Sequence, residues 1–113
     1  MSIETVRSTA RKIVDLISVG RYDLALHACS SSRLSKVDIE GVIAGYGRTL
    51  AHPPNDFDQY LDAVLIIGRS VPTWSVRVPL WTYEEGRSDL TLELTIAEDP
   101  EKPNVELDDL RVL

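Results

Sequence analysis

The hydrophobic residues of the chain repeat with one period in its first 50 residues and with another in the rest. Up to residue 50 they recur every three or four positions, which is the spacing of an amphipathic helix. Between Trp74 and Ile96 they alternate with polar residues, which is typical of antiparallel strands with one buried face. Tyr60 to Gly68 is a short apolar run that is also interpreted as a strand. Helices followed by strands predict an α+β fold, in which the helices cover one face of the sheet.

The first 50 residues predict three helices. Gly20 follows the first helix, at a position where a left-handed residue often ends one. Ser35 stands before the third helix, with Asp38 three residues later in the arrangement of a capping box. Pro53 and Pro54 then exclude further helical structure. The predicted helices span residues 3–19, 22–30 and 36–50. Gly41, Gly45 and Gly47 leave open whether the third helix packs closely on a neighbour or already ends near Gly45.

The predicted strands centre on a hairpin between Trp74 and Ile96, whose polar turn contains Gly86. Pro79 has no N–H to donate, so it marks either a bulge or a point where pairing with the preceding strand has stopped. In the last strand the hydrophobic phase slips at Asp108-Asp109, which predicts a β-bulge. The predicted strands span residues 60–68, 74–83, 90–96 and 105–113.

A chain of 113 residues is the length of one domain. Residues 1–50 form its helical part and residues 57–113 its antiparallel sheet. The predicted architecture is therefore three N-terminal helices packed on one face of a four-stranded antiparallel meander, with the outline of a cone.

Cysteine usage and hydrophobic runs indicate the compartment. Cys29 is the single cysteine, so no internal disulfide is expected. The longest apolar run, residues 63–67, is far shorter than the roughly 18 residues of a membrane span, and no signal-peptide core is present. These features predict a soluble, cytoplasmic protein without a membrane partner.

The net charge of −6 is unevenly placed. Residues 1–50 carry seven Lys or Arg against five Asp or Glu, whereas residues 51–113 carry five against thirteen. Such a field repels nucleic acid and attracts basic proteins, so a basic protein partner is predicted and a nucleic-acid partner is not. The simpler alternative is that the acidic surface only keeps a small protein soluble.

Two parts of the sequence resemble known families. I-S-V-G-R-Y-D-L-A-L at residues 17–26 resembles the junction of the first two helices in nuclear-transport-factor-like and cystatin-like cones. Residues 46–54 and 74–96, with the ending L-D-D-L-R-V-L, resemble a family of small uncharacterised bacterial proteins without an assigned activity. The resemblance implies a fold and no chemistry. The standard cone has a strand between its second and third helices and a longer sheet, and this sequence predicts neither.

No stretch of the chain forms a specific catalytic or ligand motif. His27 and Cys29 are two residues apart on a helix and point in different directions, so Cys29 is interpreted as a small buried thiol. His52 lies near Asp56 and Asp58 without a recognised metal spacing, in what is interpreted as a solvated loop. No catalytic residue, metal site or cofactor is predicted, and an enzyme is the less favoured class.

One set of polar and aromatic residues is predicted to lie on the sheet face that the helices leave uncovered. Aromatic residues and arginine act as anchors in protein interfaces, and acidic residues of the last strand would surround them. The alternative is that Trp81 and Tyr83 pack over a bent strand or a loop as a minor core. The predicted partner-binding residues are Arg77, Trp81, Tyr83, Glu93, Glu106, Asp108 and Asp109.

Three functions are compatible with these features. The favoured one is a non-enzymatic protein-binding domain, most concretely an immunity protein that neutralises a basic, nuclease-like bacterial toxin. The resemblance to cone-shaped proteins implies an alternative, a small-molecule-binding or isomerase/dehydratase-like pocket near Tyr22, Tyr46 and Asp62. The third is a homodimeric structural module in which the sheet faces pair and bury Trp81 and Tyr83 across a two-fold axis.

Overall fold

The computed structural model describes residues 3–99 and 101–113. Three helices precede most of the strands, which confirms the α+β class. In chain order, the elements are α1 (Ile3–Ser18), α2 (Tyr22–His27), β1 (Ser31–Ser32), α3 (Lys36–Tyr46), β2 (Leu50–Ala51), a 3-10 helix (Phe57–Tyr60), β3 (Asp62–Ile66), β4 (Thr73–Thr82), β5 (Gly86–Ala97) and β6 (Asn104–Val112).

α1 follows the predicted hydrophobic stripe and packs against α2 and on β4 and β5 of the sheet. Its C-terminal end is also as predicted, since Gly20 adopts a left-handed φ of 79° and donates its N–H to the carbonyl of Ile17. The side chains that α1 buries are Val6, Ala10, Ile13, Val14 and Ile17.

α2 is shorter than predicted and ends at His27. The chain leaves the helix because its backbone turns to the last strand, where Ser30 donates its N–H to the carbonyl of Val105 at 2.7 Å. Ser31–Ser32 then pairs in parallel with Glu106 and Leu107. The prediction that no strand separates α2 from α3 is therefore wrong, although this strand is too short and too polar to show any hydrophobic alternation.

α3 begins as predicted, with a capping box. The Ser35 hydroxyl accepts a hydrogen bond from the Asp38 N–H, and the Ser35 N–H donates to the Asp38 carboxylate. It ends at Gly47, which has a left-handed φ of 74°. The helix therefore ends close to Gly45, as the glycine alternative describes, and does not reach Leu50, because Leu50–Ala51 pairs with the end of β4 instead.

In the described ranges the sheet is mixed and has six strands. Five of them follow the order β1-β6-β5-β4-β2, and the sixth, β3, also pairs with β4. The predicted antiparallel meander is present as β3 to β6, but the predicted count of four strands is wrong. The two additional strands contain two residues each, and hydrophobic periodicity cannot reveal elements of that length.

Both predicted irregularities of the meander are present. The register between β4 and β5 shifts between Pro79 and Trp81, and β3 pairs with β4 no further along than Arg77, so both interpretations of Pro79 are correct. In β6 the register shifts so that Glu93 pairs with Asp109 while Leu94 pairs with Leu107, which leaves Asp108 as the extra residue of a bulge.

Candidate functional site

The face of the sheet turned away from α1, which we call the outer face, carries a bulge that places two carboxylates side by side. Leu107 and Leu110 are both buried in the core, so the two residues between them are turned to the other side of the strand. Asp108 accepts a hydrogen bond of 2.6 Å from the Thr95 hydroxyl, and Asp109 lies opposite Glu93 on the neighbouring strand. The phase slip in the sequence therefore produces an adjacent pair of acidic side chains on the outer face.

A row of charged residues crosses the outer face from strand to strand. Asp62, Arg77, Glu93 and Asp109 are register partners on β3, β4, β5 and β6. The Glu93 carboxylate lies 3.1 Å from Arg77 Nε and 3.2 Å from an Arg111 guanidinium nitrogen, so it bridges two arginines. Glu93 is the least exposed member of these ion pairs and anchors them. The structure thus brings Arg77, Glu93 and the predicted aspartates onto one surface.

The two predicted aromatic anchors differ in environment. Trp81 is half-buried. Its ring packs edge-on against Phe57, with centroids 6.3 Å apart, and at a tilt of 59° against Tyr60, with centroids 5.6 Å apart. Trp81 therefore packs on the loop, as the minor-core alternative describes. Tyr83 follows the end of β4 and keeps 77% of its surface exposed. Its side chain is available to a partner, whereas much of the Trp81 ring is already covered.

A groove of about 280 Å³ lies on the outer face beside Tyr60. The Arg87 guanidinium stacks 4.6 Å from the centroid of the Tyr60 ring along one side of it. Its charged groups have both signs, so the groove has no strong preference for anions or cations. The groove is lined chiefly by Tyr60, Asp62, Arg77, Pro79, Arg87 and Asp89.

The residues proposed for an internal pocket occupy three different neighbourhoods. Burial, and secondarily the charge of Glu40, raise the pKa of Tyr22. The Tyr46 hydroxyl donates to the Glu85 carboxylate at 2.8 Å, and the pKa of Tyr46 is raised by desolvation and by this carboxylate. Asp62 lies on β3 in the groove, whose lining includes neither Tyr22 nor Tyr46. The geometry therefore does not assemble these residues into one site.

The turn that carries Tyr83 is fixed by hydrogen bonds to the segment after α3. Tyr83 donates its N–H to the carbonyl of Thr49, while the Glu84 carboxylate accepts from the Thr49 N–H and hydroxyl at 2.8 and 2.9 Å. The Thr49 N–H, with smaller contributions from the Glu84 N–H and the Thr49 hydroxyl, lowers the pKa of Glu84. These contacts hold the exposed tyrosine at one end of the outer face.

We expect an NMR titration of the Glu84 carboxyl to give a pKa below that of an unperturbed glutamate. The pKa is lowered on folding. The contact therefore adds stability above the unfolded-state pKa and loses it as the pH falls through the folded-state pKa. Thr49→Val removes the hydroxyl donor and is expected to raise the pKa part of the way back. A Glu84 pKa at or above the ordinary value would contradict the observed hydrogen bonds.

The remaining reactive groups do not form a catalytic arrangement. Burial raises the pKa of the Cys29 thiol to about 11, and the thiol donates to the carbonyl of Ala25. His52 is exposed and lies 3.5 Å from a carboxylate oxygen of Asp15. Among residues 3–99 and 101–113, no group of three or more His, Cys, Asp or Glu side chains is placed to hold a metal ion. No helix in the same ranges has the length and apolarity to cross a membrane.

Sequence reasoning missed two participants of the outer face. Arg111 has the same strand parity as Asp109, so the alternation of β6 after its bulge contains the signal for its position. Tyr60 lies in the 3-10 helix before β3, where no periodicity indicates which neighbour its ring contacts. Asp62 is a candidate only of the alternative pocket, and its pairing with Arg77 places it on the outer face.

Comparison with known proteins identifies a family and no activity. A sequence model of DUF7668, a domain of unknown function, matches residues 14–113. Searches of curated proteins and of solved structures found no match. The matched range begins within α1 and includes the whole sheet, so the outer face lies entirely inside the family domain.

Proposed function

Because the chain belongs to the DUF7668 family, a domain of unknown function, we propose its function from its own surface chemistry. It is a non-enzymatic domain that binds a basic protein through the outer face of its sheet. Tyr83 at the end of β4 and the acidic residues of β6 make the first contacts. The groove beside Tyr60 receives side chains from the partner.

The observation that carries this proposal is the paired carboxylates of Asp108 and Asp109. A regular strand would turn one of them into the core, whereas the bulge turns both to the outer face. Glu106 lies exposed on the same strand, so β6 carries three carboxylates against one arginine, Arg111, whose Nε lies 3.9 Å from the Asp109 carboxylate. Such an excess of negative charge steers a basic partner during diffusional encounter and selects against acidic ones.

The most concrete form of this proposal is an immunity protein of the bacterial cytoplasm. Its partner is a basic, nuclease-like toxin, and the acidic outer face covers the surface with which that toxin binds nucleic acid. The chain's net charge of −6 supports this version, since complementary charge gives the fast association that a stoichiometric inhibitor needs.

Affinity capture from a bacterial lysate at low and at high salt tests the proposal. A basic protein retained in equal amount at low salt and released at high salt supports it, and its identity decides whether the partner is a toxin. Retention of this chain alone, with a dimer in analytical ultracentrifugation, would favour the homodimeric module instead. If neither is observed, the outer face is not a protein-binding surface.

We expect the double variant Asp108→Lys and Asp109→Lys to slow association with the captured partner by about tenfold at low salt, with a smaller effect at high salt. The reason is that steering depends on charge at the interface and is screened by ions. Stopped-flow or surface plasmon resonance measures the rate. Asp99→Lys with Glu101→Lys changes the net charge equally in the β5–β6 turn. Equal slowing by both pairs would locate the effect in net charge and not in the outer face.

A further inference from the structure

A cleft separate from the outer face opens between α1, the end of α2 and the start of β6. Its volume is about 600 Å³, which lies within the range of small-molecule sites. Four of its polar residues recur at spacings of three and four along α1 and so form one stripe beside the buried face of that helix. The polar lining is Thr5, Ser8, Thr9, Lys12, His27 and Lys102.

The charge of the cleft is opposite to that of the protein. The chain has three lysines, and two of them, Lys12 and Lys102, line the cleft. The third, Lys36, pairs with Asp23 at 3.5 Å and does not line the cleft. Within the described ranges, neither cleft lysine has an ion-pair partner, and no carboxylate lines the cleft. A concave site with charges of one sign focuses its field and concentrates anions.

The floor of the cleft is apolar. Its apolar surface comes chiefly from Ala28 and Pro103, which are half-buried, since Ile13 and Val105 are only 1% and 3% exposed. On the wall, the hydroxyls of Ser8 and Thr9 already donate to the carbonyl of Thr5, at 3.1 and 2.7 Å. The hydroxyls therefore offer mainly acceptor lone pairs, and the two lysines remain as the donors for an anion.

We propose that this cleft binds a small amphiphilic anion. The apolar body of the ligand lies on Ala28 and Pro103, and its carboxylate or phosphate head lies between Lys12 and Lys102. Binding here is independent of the outer face, because the cleft shares no residue with it.

Titration of the ¹⁵N-labelled full chain with octanoate, octyl phosphate, octanol and inorganic phosphate tests this inference, with each amphiphile kept below its micelle-forming concentration. We expect saturable amide shifts around Lys12, His27 and Lys102 with octanoate or octyl phosphate, and the tighter of the two identifies the head group. Octanol and inorganic phosphate are each expected to bind at least tenfold more weakly, because each lacks one half of the ligand.

Lysine variants test whether binding depends on the two cleft lysines or only on the net charge of the protein. Lys12→Gln with Lys102→Gln is expected to weaken binding of the anionic amphiphiles at least tenfold, whereas Lys36→Gln leaves it unchanged. The proposal is overturned if no saturable shifts occur in the cleft, if octanol binds as tightly as octanoate, or if the double variant binds as the unmodified chain does. Unchanged circular dichroism of the variants ensures that a loss of binding is not a loss of folding.

Discussion

Phe57→Ala is expected to lower the free energy of unfolding by about 3–5 kcal/mol, the usual cost of removing a fully buried phenylalanine side chain. Phe57 has no exposed surface, although it belongs to a short 3-10 helix inside a loop. Its ring meets Trp81 edge-on, and the Arg11 guanidinium lies 4.9 Å from its centroid on the other side. Removing the ring therefore opens a cavity where the loop, α1 and β4 meet.

Urea unfolding followed by circular dichroism measures this effect. Phe57→Leu, which retains most of the apolar volume, serves as the matched control and is expected to cost about 1–2 kcal/mol. The exposed Tyr83→Ala is expected to change stability by less than about 0.5 kcal/mol. A loss below about 1 kcal/mol for Phe57→Ala would show that the loop folds over the core without depending on this contact.

Phe57 also illustrates what the sequence could not predict. Among the prolines and aspartates of residues 53–58 no apolar periodicity is present, so nothing in the pattern marks this residue as core. The partial burial of Trp81 depends on the same loop, because Phe57 and Tyr60 cover its ring. Contacts made by an irregular segment depend on where the chain returns in space, and that information is not local.

The features that could be predicted are those with a local physical cause. The capping box at Ser35 and the left-handed Gly20 depend only on neighbouring residues. The bulge at Asp108 was predicted from a phase slip and correctly indicates that both aspartates face outward. The candidate site follows in part from that local signal, since its acidic strand and Arg77 were predicted. The pairing of Glu93 with Arg111 requires the register between β5 and β6, which alternation alone does not specify.

Glu98, which follows the end of β5, is a charged residue with a buried side chain. The sequence places it in a charged turn after β5, but its N–H donates to the carbonyl of Pro72 at 2.8 Å and extends the ladder by one residue. Glu98 therefore has the same parity as Leu94 and Ile96, and its side chain follows theirs to the buried side of the sheet. It is 7% exposed, and within residues 3–99 and 101–113 neither carboxylate oxygen has a hydrogen-bond partner.

We therefore expect Glu98→Leu to raise the free energy of unfolding by about 1–3 kcal/mol, because it removes a buried polar group whose desolvation is not compensated. Glu98→Gln is expected to give a smaller gain, since it removes the charge and keeps unpaired polar atoms. Urea unfolding at pH 7 measures both, with the exposed Glu101→Leu as the control that should stay within about 0.5 kcal/mol. If Glu98→Leu instead destabilises the protein, a partner group compensates this carboxylate in solution. The loss would then measure a buried interaction and not a desolvation penalty.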